Sequence, residues 1–183
     1  MSTHRRLALA ALVLLPLAAC DSFGLAGPQS PPAPAARAID YRADDLAGMI
    51  FAINLPAGVQ VLPKSSTARF DAGAGGAAGR HVKATFTLAD GGDIDGQLPP
   101  PAAGRTYYLL GFGARDKTAL RAAQAWLGEQ NPPPVVSFTV TPGLCMTSPP
   151  GPGATGSVIP VSPGKSPFLP LVTIPVASVP PCR

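Results

Sequence analysis

Through most of the chain apolar and polar side chains alternate with a period of two, which puts successive residues on opposite faces of extended strands. Met49, Phe51, Ile53 and Leu55 fall on one side of such a strand, with Ala52 and Asn54 on the other, and Pro56 to Gly58 turns the chain. Val59 to Leu62 continues it as far as Pro63, and Thr67 to Asp71 predicts a short strand carrying Phe70. The cleanest alternation runs from His81 to Leu88. Val82, Ala84, Phe86 and Leu88 are expected inward, and His81, Lys83, Thr85 and Thr87 outward, as in an antiparallel strand with one wet face. Arg105 to Gly113 is apolar on both sides, Tyr108, Leu110 and Phe112 against Tyr107 and Leu109, which predicts a central strand. Val136, Phe138 and Val140 alternate with Ser137 and Thr139 before Pro142. Phe168 to Val179 is apolar, but Pro170 and Pro175 restrict it to an edge strand or an extended arm, because proline donates no ladder hydrogen bond.

One segment changes period. Lys117 to Gln130, with Asp116 as N-cap, places Ala119, Leu120, Ala123, Trp126 and Leu127 on one stripe of a helix, and Arg121, Gln124 and Glu129 outside it. Asn131 and Pro132 to Pro134 stop it. The helix is expected to lie against the sheet and bury Trp126. Ala72 to Gly79 is a Gly/Ala loop, Asp90 to Gly96 a turn cluster, and Ser148 to Ser166 mostly Pro, Gly, Ser and Thr. No internal repeat interrupts the series. The pattern predicts a mainly β domain, antiparallel and sandwich-like, with one packed α-helix.

Composition narrows this further. Of 183 residues, 24 are Pro and 20 Gly, so turns, edges and irregular coil must occupy much of the backbone. Hydrophobic content of 46% supports a core and argues against wholesale disorder. Charged residues, at 13%, are about half the usual share. The basic residues are scattered rather than clustered, which removes nucleic acid as a partner chosen by charge.

The first twenty residues follow a different logic. Met1 to Arg6 carries Arg5 and Arg6, Leu7 to Ala19 is apolar without a break, and small residues precede Cys20. A basic start, a short apolar run and a small-residue cleavage point describe an export signal. The run is too short for the ~20 apolar residues that span a bilayer. Leu17-Ala18-Ala19-Cys20 resembles the lipobox of bacterial lipoproteins. That resemblance covers only this segment. It implies cleavage before Cys20, a diacylglycerol on its sulfur, and a membrane-anchored protein of the Gram-negative cell envelope facing the periplasm. Asp21 resembles the inner-membrane retention signal of enteric lipoproteins. Residues 1–19 are then a cleaved signal, 20–38 a lipidated, proline-rich tether, and 39–183 a single β-rich domain. Loss of Arg5 and Arg6 lowers the net charge from +4 to +2. With Cys20 committed to lipid, Cys145 and Cys182 most simply pair in an oxidising compartment. Closing a loop of 38 residues, counted from Cys145 to Cys182, is worth ~4 kcal/mol by loop entropy.

Motifs for chemistry are weak. In Asp90 to Gly96 a calcium-loop register puts Gly91 at the first ligand position and Ala102 at the twelfth, so two key oxygens are missing. Gly164-Lys165-Ser166 would need a leading glycine where Ile159 stands, and Pro163 and Pro167 prevent a phosphate-binding helix start, so no nucleotide is expected. After cleavage His81 is the single histidine, and it lies on a predicted wet strand face. A serine–histidine site with Ser65 or Ser66 is therefore weighed against an exposed strand histidine, and the latter is favoured. One histidine and two paired cysteines cannot supply four zinc ligands. No metal and no cofactor are called for.

These readings favour a non-catalytic binding or accessory module acting on a protein or envelope polymer, with β-augmentation as a contact mode. The alternatives are a cell-envelope hydrolase, in which Asp93, Asp95, His81 or Glu129 converge in a pocket, and a purely structural lipoprotein.

Overall fold

The computed structural model describes residues 35–73, 79–91, 94, 96–165 and 167–183. The signal segment, Cys20, Asp21 and the tether as far as residue 34 lie outside them, as do the middle of the Gly/Ala loop, Asp93, Asp95 and Ser166.

Among the described residues, nine strands and one α-helix follow in order: β1 Ile50–Pro56, β2 Val59–Val61, β3 Thr67–Ala72, β4 Arg80–Leu88, β5 Arg105–Phe112, α1 Ala114–Glu129, β6 Val136–Thr141, β7 Leu144–Met146, β8 Thr155–Val161 and β9 Val172–Pro175. Seven form one antiparallel sheet in the order β6-β3-β4-β5-β1-β8-β9, and β2 pairs with β7 beside it. The large sheet nearly closes on itself. Phe51 on β1 and Phe138 on β6, four places apart in the strand order, stack with ring centroids 5.6 Å apart. Phe51 also meets Phe86 and Phe112 edge-on at 5.3 and 5.5 Å, and these rings form the centre of the core. The mainly β class with a single helix is as the alternation predicts.

Strand β4 makes the curl. Residues Arg80 to Thr85 pair with β3, whereas Phe86 to Leu88 pair with β5 on the other side. One strand thus serves two ladders that diverge. Its alternation holds for Ala84 and Phe86, both buried, but Leu88 is 69% exposed, against expectation. β4 has nine residues and β3 six, so Leu88 runs past the layer that would have covered it.

The helix differs from its sequence pattern in three ways. Gly113 is the N-cap, and Asp116 sits in the first turn, where its carboxylate accepts the backbone N–H of Thr85 at 2.8 Å. Leu120, Ala123 and Leu127 are buried, but Ala119 is exposed and Trp126 only half-buried, with the Arg80 guanidinium 5.0 Å from its ring centre. Gln124, expected outside the stripe, clamps the segment before β1. It donates to the carbonyls of Tyr41 and Asp44 at 3.0 and 2.7 Å and accepts from the N–H of Leu46 at 3.2 Å.

Strands β7 and β8 are absent from the pattern, and β8 is the longer of the two. Gly156, Ser157 and Pro160 hide it in a stretch that reads as coil. Pro160 is tolerated because its missing N–H falls on the β9 side, beyond Val158↔Val172 where that ladder ends. Gly156 suits a close approach, since a Cβ there would lie 2.6 Å from Leu55 Cδ2 and 3.1 Å from the Asn54 carbonyl oxygen.

Among the described residues, Arg37, within the stretch read as tether, is held against the domain. Its N–H donates to the Pro167 carbonyl and its own carbonyl accepts from Leu169 N–H. Its guanidinium holds Asp44 through two hydrogen bonds of 2.7 and 2.6 Å, and also lies over the Phe168 ring. Asp44, 3% exposed, further accepts from Lys165 Nζ and from the Asp40 N–H. The Arg37 hydrogen bonds, outweighing desolvation, hold this carboxyl well below the usual carboxylate range.

Candidate functional site

The titratable candidates do not assemble. His81 is exposed on the outer face of the sheet, with Nδ1 2.7 Å from Asp71 Oδ1, and Arg69 Nε donates to the same carboxylate at 2.6 Å. These contacts, Arg69 foremost, lower the Asp71 pKa. Ser66 is buried and occupied: its hydroxyl donates to the Leu62 carbonyl and accepts from the Gly143 N–H, each at 2.9 Å. The register Asp71↔His81 and Thr67↔Thr85 sets the histidine four residues along the ladder from Thr85, about 13 Å. Neither Ser65 nor Ser66 has His81 as a base. Glu129 stands exposed at the end of α1, and Asp93 and Asp95 lie outside the described residues. Among the described residues no cluster of His, Cys, Asp or Glu has metal-binding geometry.

What the fold does build is an apolar groove at the open side of β4. Successive residues of a strand turn their N–H and C=O to opposite sides. Phe86 N–H donates to the Ser66 carbonyl on the β3 side at 3.0 Å, and Ala89 N–H donates to the Leu109 carbonyl on the β5 side at 2.9 Å. Leu88 therefore directs its own pair toward β3. By then β3 has been replaced by the 3₁₀ turn Pro63–Ser65, and among the described residues the Leu88 N–H and C=O have no hydrogen-bond partner on that side.

The resulting groove of about 470 Å³ lies between Leu62–Ser65 and the strand end Phe86–Leu88. Leu62 is 41% exposed and flanks it opposite the still more open Leu88, while the buried Phe86 forms its floor. Gly143 fixes the turn from behind, because a Cβ there would sit 2.6 Å from Ser65 Cβ and 2.8 Å from its carbonyl carbon. Leu62 also lines a neighbouring groove of about 420 Å³, bordered by Leu144, the Cys145–Cys182 disulfide and Pro180 to Arg183. The charged side chains lining the two are Lys64 and Arg183, and no carboxylate side chain lines either. A third, polar cleft of about 320 Å³ surrounds Asp44 and Gln124, whose hydrogen bonds are spent on holding the fold.

Sequence reasoning paired the cysteines and passed over the groove. Its one sequence signal is the Pro63 turn set against a β4 longer than β3, which becomes visible only with the register known. Comparison with protein-family models, curated proteins and solved structures finds no match.

Proposed function

We propose that this chain is a lipid-anchored protein of the Gram-negative cell envelope that acts as a non-catalytic binding module, with the groove beside Leu88 as its contact surface. The lipobox Leu17-Ala18-Ala19-Cys20 supports the anchor, and Asp21 inclines the placement to the inner membrane. The disulfide between the two remaining cysteines is in keeping with an exported chain. The observation that carries the binding reading is an apolar trough, lined by two exposed leucines and an unpaired strand edge.

Mass spectrometry of the chain recovered from membranes tests the anchor. An N-terminal fragment beginning at a diacylglyceryl-modified Cys20 is expected, and Cys20→Ala should release the protein from the membrane. A Met1 start in cytosolic protein would remove the proposal. Crosslinking from a photoreactive residue at Leu88 in native membranes tests the binding role. A discrete adduct is expected, and an adduct-free chain sinks it.

A further inference from the structure

Resting on that reading of the groove as a contact surface, we infer that its occupant is an extended polypeptide segment of a partner protein, apolar where it meets Leu62 and Leu88 and acidic where it meets Lys64. The backbone decides the class. Leu88 offers one N–H and one C=O side by side on the edge of a strand whose earlier residues on that side, up to Phe86, are paired with β3 or with Ser66. An acyl chain or a sterol has nothing to pair with them. An extended peptide residue has one donor and one acceptor at the matching spacing, and would lengthen the β4 ladder in place of the departed β3.

The side chains decide the sequence character. Alternate residues of an added strand point to one face, so those flanking the Leu88 pair would reach Phe86, Leu62 and Pro63. The charge on this wall is Lys64, and continuing past Leu62 the next side-chain charge is Arg183. With no carboxylate side chain lining either groove, a basic segment would meet like charge at Lys64 and an acidic one an opposite charge. The trough is shallow and accommodates a few residues, which fits a short extended segment rather than a folded surface.

The probes are fluorescein-labelled hexapeptides added to the full mature chain in detergent and followed by anisotropy. One carries Glu-Val-Ile-Val, the second Lys-Val-Ile-Val, and the third has Pro at the central position. Saturable binding of the first is expected, weaker by about tenfold for the second, as a charge-assisted contact implies, and abolished for the third. Lys64→Glu should reverse the preference between the first two. Leu88→Asp should abolish binding while leaving the circular dichroism unchanged, since that side chain is mostly in solvent. Equal binding of all three peptides, or none up to about 1 mM, overturns the inference. A dansyl fatty acid that saturates the groove while the peptides do not also overturns it, yet leaves the contact-surface reading standing. If neither probe binds and Leu88 gives no adduct in membranes, both fall.

Discussion

Strand β4 has a gap on each side, and the chain treats the two differently. On the β5 side of Arg80 to Thr85 the ladder has not yet begun, and α1 fills the space. Leu120, Ala123 and Leu127 are buried there, and Asp116 takes the Thr85 N–H that β5 does not reach. On the β3 side of Phe86 to Leu88 the ladder has ended, and only the 3₁₀ turn Pro63–Ser65 stands beside it. Both gaps arise because one strand serves two diverging ladders. A 16-residue helix brings apolar side chains and a carboxylate to the first. A three-residue turn closes the second only as far as Ser66. The unfilled gap carries a free backbone edge and solvent-exposed leucine, features that proteins ordinarily cover or protect.

The contrast can be broken from the filled side first. Leu127→Ala is expected to cost about 2–5 kcal/mol, as for a leucine removed from a packed core, measured by urea unfolding of the oxidised chain. Next in size is the staple that borders the second groove. Opening Cys145–Cys182 by replacing both cysteines with alanine should cost ~4 kcal/mol by loop entropy, and the same titration reads it. A smaller loss, about 1 kcal/mol, is expected for Asp116→Ala, with faster amide exchange at Thr85 as its local signature. Leu88→Ala should fall within about 0.5 kcal/mol of the parent. If Leu88→Ala costs as much as Leu127→Ala, the groove is core and the distinction between the two gaps fails.

Acid should separate the same two regions. The folded-state pKa of Asp44 is depressed, chiefly by Arg37, so its contribution to stability is complete above the unfolded value near ~3.9 and is lost as pH falls through the folded one. Gln124 ties α1 to the Asp44 carbonyl, so exchange measured below about pH 4 should rise around Tyr41 to Leu46 before it rises at Phe86 and Ala89. Asp44→Asn should abolish that order.

Legibility followed locality. Alternation located β1, β3, β4, β5 and β6 because each buries one set of alternating residues in a common core. β8 escaped notice because Gly156 and Pro160 are penalised by propensity, whereas their tolerance depends on Leu55 and on where the β9 ladder stops. Gln124 reads as an exposed helical residue because nothing local reveals the carbonyls of Tyr41 and Asp44 above it. Asp116 reads as a cap for the same reason, its partner lying 31 residues earlier in the chain. The groove was illegible because it comes from a mismatch in strand lengths, which belongs to the pairing and to no single segment.

The way the chain enters the domain at Arg37 has a mechanical consequence. A pull on the preceding residues reaches the two hydrogen bonds to Pro167 and Leu169, and the Asp44 clamp, before it reaches β1. Those contacts are a small peelable patch in front of a ladder paired on both edges. Force applied at that end would open these contacts before it loads the buried Leu46, Ala47 and Met49 and the sheet behind them.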